Sequence, residues 1–136
     1  RRNDIMMEQN KNDLVNYRIK RAKETLAEAN AMIENSFWNA AVNRLYYGCY
    51  YSVIALLIKH NIKAQTHAGV CRMFGLHFIQ TGIISQDIGI FYSKLFDKRQ
   101  TGDYEDYIEY NKETLDYLLP RGKKLIETIE ALINQS

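Results

Sequence analysis

Residues 37–60 read Phe-Trp-Asn-Ala-Ala-Val-Asn-Arg-Leu-Tyr-Tyr-Gly-Cys-Tyr-Tyr-Ser-Val-Ile-Ala-Leu-Leu-Ile-Lys-His. On a helix, Phe37, Trp38, Ala40, Ala41, Val42, Leu45 and the run Val53 to Ile58 put apolar side chains most of the way round. Such a helix is central, packed by neighbours on several sides or by a partner chain. Arg44 is the odd residue in it. It shares a face with Ala40, Tyr47, Gly48 and Tyr51, so its guanidinium must be paired, stacked on rings or open to a cleft. Tyr46, Tyr47, Tyr50 and Tyr51 read as packing rings whose hydroxyls are tethered somewhere.

The flanking segments are helical in pattern too. Upstream, Val15, Ile19, Ala22, Leu26, Ala29 and Ile33 form one apolar stripe from Asp13 onward. Arg18, Lys20, Arg21 and Lys23 read as a solvated face or, alternatively, as a phosphate-facing patch. Residues 1–12 are polar and aperiodic and read as a loosely ordered arm before a single domain at 13–136. Asn35-Ser36 ends the first helix, and Ser36 is expected to cap the second. Downstream, Thr66 is placed to cap a third helix running to about Gln80, with Val70, Phe74 and Phe78 inside and Gly82 beyond its end.

A fourth helix is expected over about 86–99, capped by Ser85 and stopped by Thr101-Gly102-Asp103. Its apolar stripe of Ile84, Ile88, Phe91 and Leu95 leads to Arg99, a charge where a core residue belongs. A cation in a last turn complements the helix dipole, yet Lys94 and Lys98 on other faces serve that purpose. The fifth helix, about 111–134, contains Pro120, which is expected to kink or break it, and Gly122, which adds to the weakness.

Composition limits the function. A hydrophobic fraction of 46% and a charged fraction of 25% describe a globular chain, and a net charge of +2 is too small by itself to argue for nucleic acid. No apolar run is long enough for a membrane span and the opening residues do not read as a leader. Cys49 and Cys71 read as reduced core thiols, so a cytoplasmic location is expected. The chain opens at Arg1, from which a trimmed start is expected. His60, His67 and His77 lack metal-ligand spacing, no glycine-rich phosphate loop or nucleophile elbow is present, and the adjacent Glu105 and Asp106 point different ways. No metal and no cofactor are expected. His67, in the first turn of the third helix, reads either as a structural hydrogen-bonder or as a titratable group.

The run Ala40-Ala41-Val42-Asn43-Arg44-Leu45-Tyr46-Tyr47-Gly48, then Thr66-His67-Ala68-Gly69-Val70, Phe74, and Arg99 with Gly102-Asp103-Tyr104, resembles a HEPN domain. More narrowly, it resembles the small prokaryotic HEPN proteins of the UPF0332 type, over roughly 13–134. The resemblance implies an all-α, up-and-down bundle of four or five helices that usually dimerises, and the apolarity of the second helix predicts a homodimer through it or the fourth helix. The resemblance also implies a minimal nucleotidyltransferase encoded nearby, the two acting as a toxin–antitoxin-like pair. Catalytic HEPN proteins resemble one another in an Arg followed four to six residues later by a His, and they cleave RNA without metal. Arg99 matches that arginine, whereas Tyr104 stands at the place of the histidine.

Three functions remain open on these grounds. The first is a nucleotide- or RNA-binding module in which Arg44, Tyr47, Asp103 and Tyr104 hold the ligand. The second is a metal-independent ribonuclease using Arg99 and His67. The third is a non-catalytic structural dimer. Arg44, His67, Arg99, Asp103 and Tyr104 are expected to line one cleft, with Asp103 partnering one arginine. Family resemblance further implies that a nucleotidyltransferase silences such a protein by adding AMP to a tyrosine close after the motif, here Tyr104 or Tyr107.

Overall fold

The computed structural model describes residues 2–104 and 108–135, without the side chains of 101–104. The described residues form an all-α bundle of five helices and no strand: α1 Arg2–Glu34, α2 Trp38–Lys59, α3 His67–Phe74, α4 Gln86–Tyr104 and α5 Lys112–Asn134. Helix α2 is the centre, packed against α1, α3, α4 and α5. Its all-round apolarity is thereby accounted for within one chain. No helix is long and apolar enough to cross a membrane, among the described residues.

The α1 stripe is buried at Val15, Ile19, Ala22 and Ala29, as its period demands. The helix itself begins at Arg2, so the stretch read as an arm is helical, its side chains mostly exposed. Ser36 does not cap α2. It adopts a left-handed φ of 59° and closes α1 instead: its N–H donates to Ile33 O at 3.0 Å, and the Phe37 N–H donates to Met32 O at 2.8 Å. Asn61, with φ 58°, ends α2 by the same pair of bonds to Ile58 O and Leu57 O. Two such closures turn the chain sharply without exposing orphan carbonyls.

Thr66 caps α3 as expected, its Oγ1 accepting from the Gly69 N–H at 2.9 Å. Beyond Phe74 the helix widens into a π-turn, Gly75–Ile79, before reaching Gln80. Helix α4 runs past Arg99 to Tyr104, against the expected stop. A glycine inside a helix costs only about 0.5–1 kcal/mol, which does not end one by itself.

Helix α5 opens with a capping box between Asn111 and Thr114 and stays continuous through Pro120. The proline is exposed, and the carbonyl that loses its helical donor belongs to Asp116, also exposed, so solvent can reach it. Nor is Gly122 a weak point: it is buried, and a Cβ built there would lie 2.6 Å from Leu45 Cδ1. The missing side chain is what lets α5 approach α2. Finally, Asn39 at the start of α2 pins the segment after α4, donating to Ile108 O at 2.9 Å and accepting from the Tyr110 N–H at 2.8 Å.

Candidate functional site

Tyr46, Tyr47 and Tyr50 fan over the side of α2 that meets α3 and α4, since Tyr50 lies three and four positions from the other two and such positions share a helical flank. Tyr46 is fully buried, its ring stacked 5.8 Å from Tyr50 and 6.2 Å from Tyr92 of α4. Its hydroxyl lies 2.7 Å from His67 Nδ1. The imidazole in turn stacks on Tyr50, centroids 4.2 Å apart and planes 12° from parallel.

Arg99 enters from α4. Its Nη2 donates to the Tyr47 hydroxyl at 3.0 Å, and its guanidinium carbon stands 5.7 Å from the Tyr46 ring and 5.6 Å from the Tyr47 ring. The His67 ring is 5.7 Å and 5.8 Å from those same two rings. Arg44 faces Tyr47 as well, 5.4 Å from its centroid. That guanidinium is held by Glu28 Oε1 at 3.2 Å and by Asn43 Oδ1 at 3.2 Å. Both charged side chains of this pair are partly exposed, so solvent weakens the bridge and leaves the cation available.

One turn beyond Tyr47, the Tyr51 ring lies 6.1 Å away and carries two more cations from α1, Arg18 at 5.9 Å and Arg21 at 5.7 Å. Arg21 pairs with Glu24 at 3.0 Å. Lys23 leaves this face and pairs with Glu130 of α5, while Lys20 is exposed. Of the basic cluster in α1, therefore, two of four side chains join the tyrosine stripe.

Burial pushes the Tyr46 phenol well above its usual range, more than a neighbouring hydroxyl and the Arg99 cation pull it down. Tyr50 is raised for the same first reason. Tyr46 therefore stays a neutral O–H at ordinary pH. Between that hydroxyl and Nδ1, the direction of the hydrogen bond follows the tautomer of the imidazole. The arrangement is chemically definite: a half-buried imidazole oriented by a phenol and a ring, and guanidinium groups laid along the same aromatic surface.

Arg44, Tyr47, His67 and Arg99, singled out by sequence, come together here from α2, α3 and α4. Asp103 and Tyr104 fall where only the backbone is described, and Tyr107 lies outside the described residues. A carboxylate that holds Arg44 is that of Glu28. Sequence reading missed Glu28 because sixteen positions and a turn separate the pair. It also treated Tyr46 and Tyr50 as plain packing, although their spacing beside His67's helix was the available signal. Among the described residues no cluster of three His, Cys, Asp or Glu is disposed for a metal ion.

The HEPN domain family model matches residues 15–132, which takes in α2, α3, α4 and nearly all of α5. This chain belongs to the HEPN domain family. Within it, the HEPN chain is similar to a UPF0332 protein of Thermotoga maritima, at 33% identity over 90% of this chain and 93% of the relative. It is also similar to two proteins of Methanocaldococcus jannaschii that are named as candidate toxins. One is 35% identical over 76% of this chain and 71% of its own length. The other is 39% identical over 61% of this chain and 62% of its own length.

Proposed function

We propose that this HEPN protein is a cytoplasmic, toxin-type nucleotide- or RNA-binding module that works as a homodimer with a minimal nucleotidyltransferase. One observation carries the binding: Arg99 and Arg44 stand on the Tyr47 ring, which offers a base a stacking surface and its phosphate two guanidinium groups. The candidate-toxin names of the M. jannaschii relatives support the two-component reading. Support for a dimer comes from Ile83, Ile90 and Tyr117, large side chains left 54%, 54% and 51% exposed.

Fluorescence anisotropy with labelled single-stranded RNA tests the binding. Arg99→Ala removes charge-assisted contacts of about 1.5–3 kcal/mol, so affinity should fall by one to two orders of magnitude. Wild-type affinity in that variant would end the reading. For regulation, Tyr104 and Tyr107 are the proposed acceptors of AMP, and mass spectrometry after co-expression with a neighbouring nucleotidyltransferase tests them. Modification confined to the tyrosines of α2 would reject that assignment.

A second reading is a metal-independent ribonuclease, favoured by the placement of Arg99 and His67 over the same two rings. Arg99 would stabilise the pentavalent phosphate and His67 would move the proton. RNA cleavage in the presence of a chelator, abolished by Arg99→Ala and by His67→Ala alike, distinguishes it. RNA that is bound yet stays intact leaves the binding module.

A further inference from the structure

The four arginines of the tyrosine stripe are not in equivalent states. Arg21 is held by Glu24 and Arg44 by Glu28. Arg18 is different. No described carboxylate or hydrogen-bond acceptor reaches it, and its Nε is buried without a partner, although the guanidinium lies only 5.8 Å and 5.9 Å from the Tyr17 and Tyr51 rings. A desolvated donor left unmatched is unfavourable, and an anion arriving there would supply what the fold does not.

Two further observations say what kind of anion. The Tyr51 ring under Arg18 is one step, 6.1 Å, from the Tyr47 ring under Arg99 and Arg44, and Tyr50 lies 6.0 Å from both. These three rings, tilted by 41° to 89° to one another, line the way between the two cationic ends. Beyond Arg18 the surface opens into a groove of about 940 Å³ between the first turns of α1 and the end of α2. Its apolar floor includes Ile54 and Ile58; at its sides stand Lys63, Lys11, which Glu8 holds at 3.2 Å, and Asp4. Alternating flat rings and cations that lead into a part-apolar trough suit a strand with regularly spaced phosphates and bases.

We propose that Arg18 holds a second phosphate, so that the face takes a single-stranded oligonucleotide rather than a mononucleotide. The strand runs from Arg99 and Tyr47 across Tyr51 to Arg18 and on into the α1–α2 groove. This rests on the binding reading above and extends it from one nucleotide to a track.

Binding is measured by anisotropy for a labelled mononucleotide, a dinucleotide and an octanucleotide over a range of salt, using the whole chain. The affinity of the octanucleotide should exceed that of the mononucleotide. Arg18→Ala should remove most of that gain, roughly tenfold for one charge-assisted contact, and leave the mononucleotide unchanged. It should also lower the slope of log affinity against log salt by about 0.7, the value for one phosphate on a single strand. Arg18→Lys, which keeps the charge, should keep most of the slope and guards against a folding defect in the alanine variant. Lys20→Ala removes the same charge from the same helix off the stripe and should change neither. Equal losses in the Arg18 and Lys20 variants mean diffuse attraction and overturn the track. So does an octanucleotide that binds no better than the mononucleotide. Octanucleotide binding that needs Arg99 but not Arg18 removes this inference alone. If no nucleotide binds, or Arg99→Ala is without effect, the underlying binding reading falls and the track with it.

Discussion

Helix α2 has two unlike sides. Toward α5 it presents Leu45 and Cys49 against the bare backbone of Gly122, with Cys49 Sγ 3.9 Å from Gly122 O. Toward α3 and α4 it presents Tyr46, Tyr47 and Tyr50, and there it meets a histidine and an arginine. The first side is aliphatic and close-packed, and across its seam the Cys49 thiol reaches a backbone carbonyl. The second carries hydroxyls and cations that the surrounding structure must keep oriented. One helix thus devotes one flank to close packing and the other to oriented polar groups, and the division should be separable by experiment.

The largest expected effect comes from the aliphatic side. Leu45→Ala removes a fully buried side chain at the α2–α5 seam and should cost about 2–5 kcal/mol in urea unfolding, depending on how far the site collapses. Whatever fraction folds should bind RNA as the wild type does. A matching loss of affinity in the folded fraction would show that the two flanks are coupled.

Gly122 sharpens the same side. Gly122→Val drives a branched side chain into Leu45 and should cost about 1–3 kcal/mol, seen as a lower denaturation midpoint. Gly48 is the internal contrast: a Cβ there meets Ala22 O at 3.4 Å and Leu26 N at 3.5 Å, ordinary contacts. Gly48→Ala should therefore be neutral or stabilising by up to about 1 kcal/mol, through lost freedom of the unfolded chain. If both glycine substitutions behave alike, the close approach of α5 is not what Gly122 provides.

The smallest effect belongs to the ring side. Burial raises the phenols of Tyr46, Tyr50 and Tyr92 above their ordinary value near 10. The folded state therefore holds these protons more tightly than the unfolded one. Their contribution is fully present below about pH 10 and is lost as pH rises through and beyond it. Phenolate absorbance should show the exposed tyrosines ionising first and the cluster only together with unfolding. A cluster that ionises at the ordinary value in the folded protein would mean that these rings are solvated.

Several of these features were legible beforehand. The 3.6-residue period placed all the helices, and Thr66 capped where a threonine before an apolar stripe should. Arg44, His67 and Arg99 stood out because each is polar on a stripe that is otherwise apolar or aromatic. Boundaries were read less well. Ser36 ends the first helix as read but does not cap the second, because a serine beside a helix end serves either neighbour and only the backbone angle decides which. Gly102 and Pro120 were read as interruptions because they are poor helix formers in isolation. Both lie inside continuous helices here, and Pro120 does so on an exposed face.

By itself, then, the amino-acid sequence determined the fold class, the order of the helices and the three polar residues that interrupt the apolar or aromatic stripes, since each follows from local periodicity. Tertiary structure alone decided what those residues meet. Glu28 holds Arg44 from sixteen positions away, the Tyr46 hydroxyl finds His67 across twenty-one, and Asn39 pins Tyr110 across seventy-one. A stripe says which face of a helix turns inward, but not which other helix it will face. That choice depends on how whole faces fit together, such as the glycine gap in α5 that admits Leu45, and no window of neighbouring residues contains it.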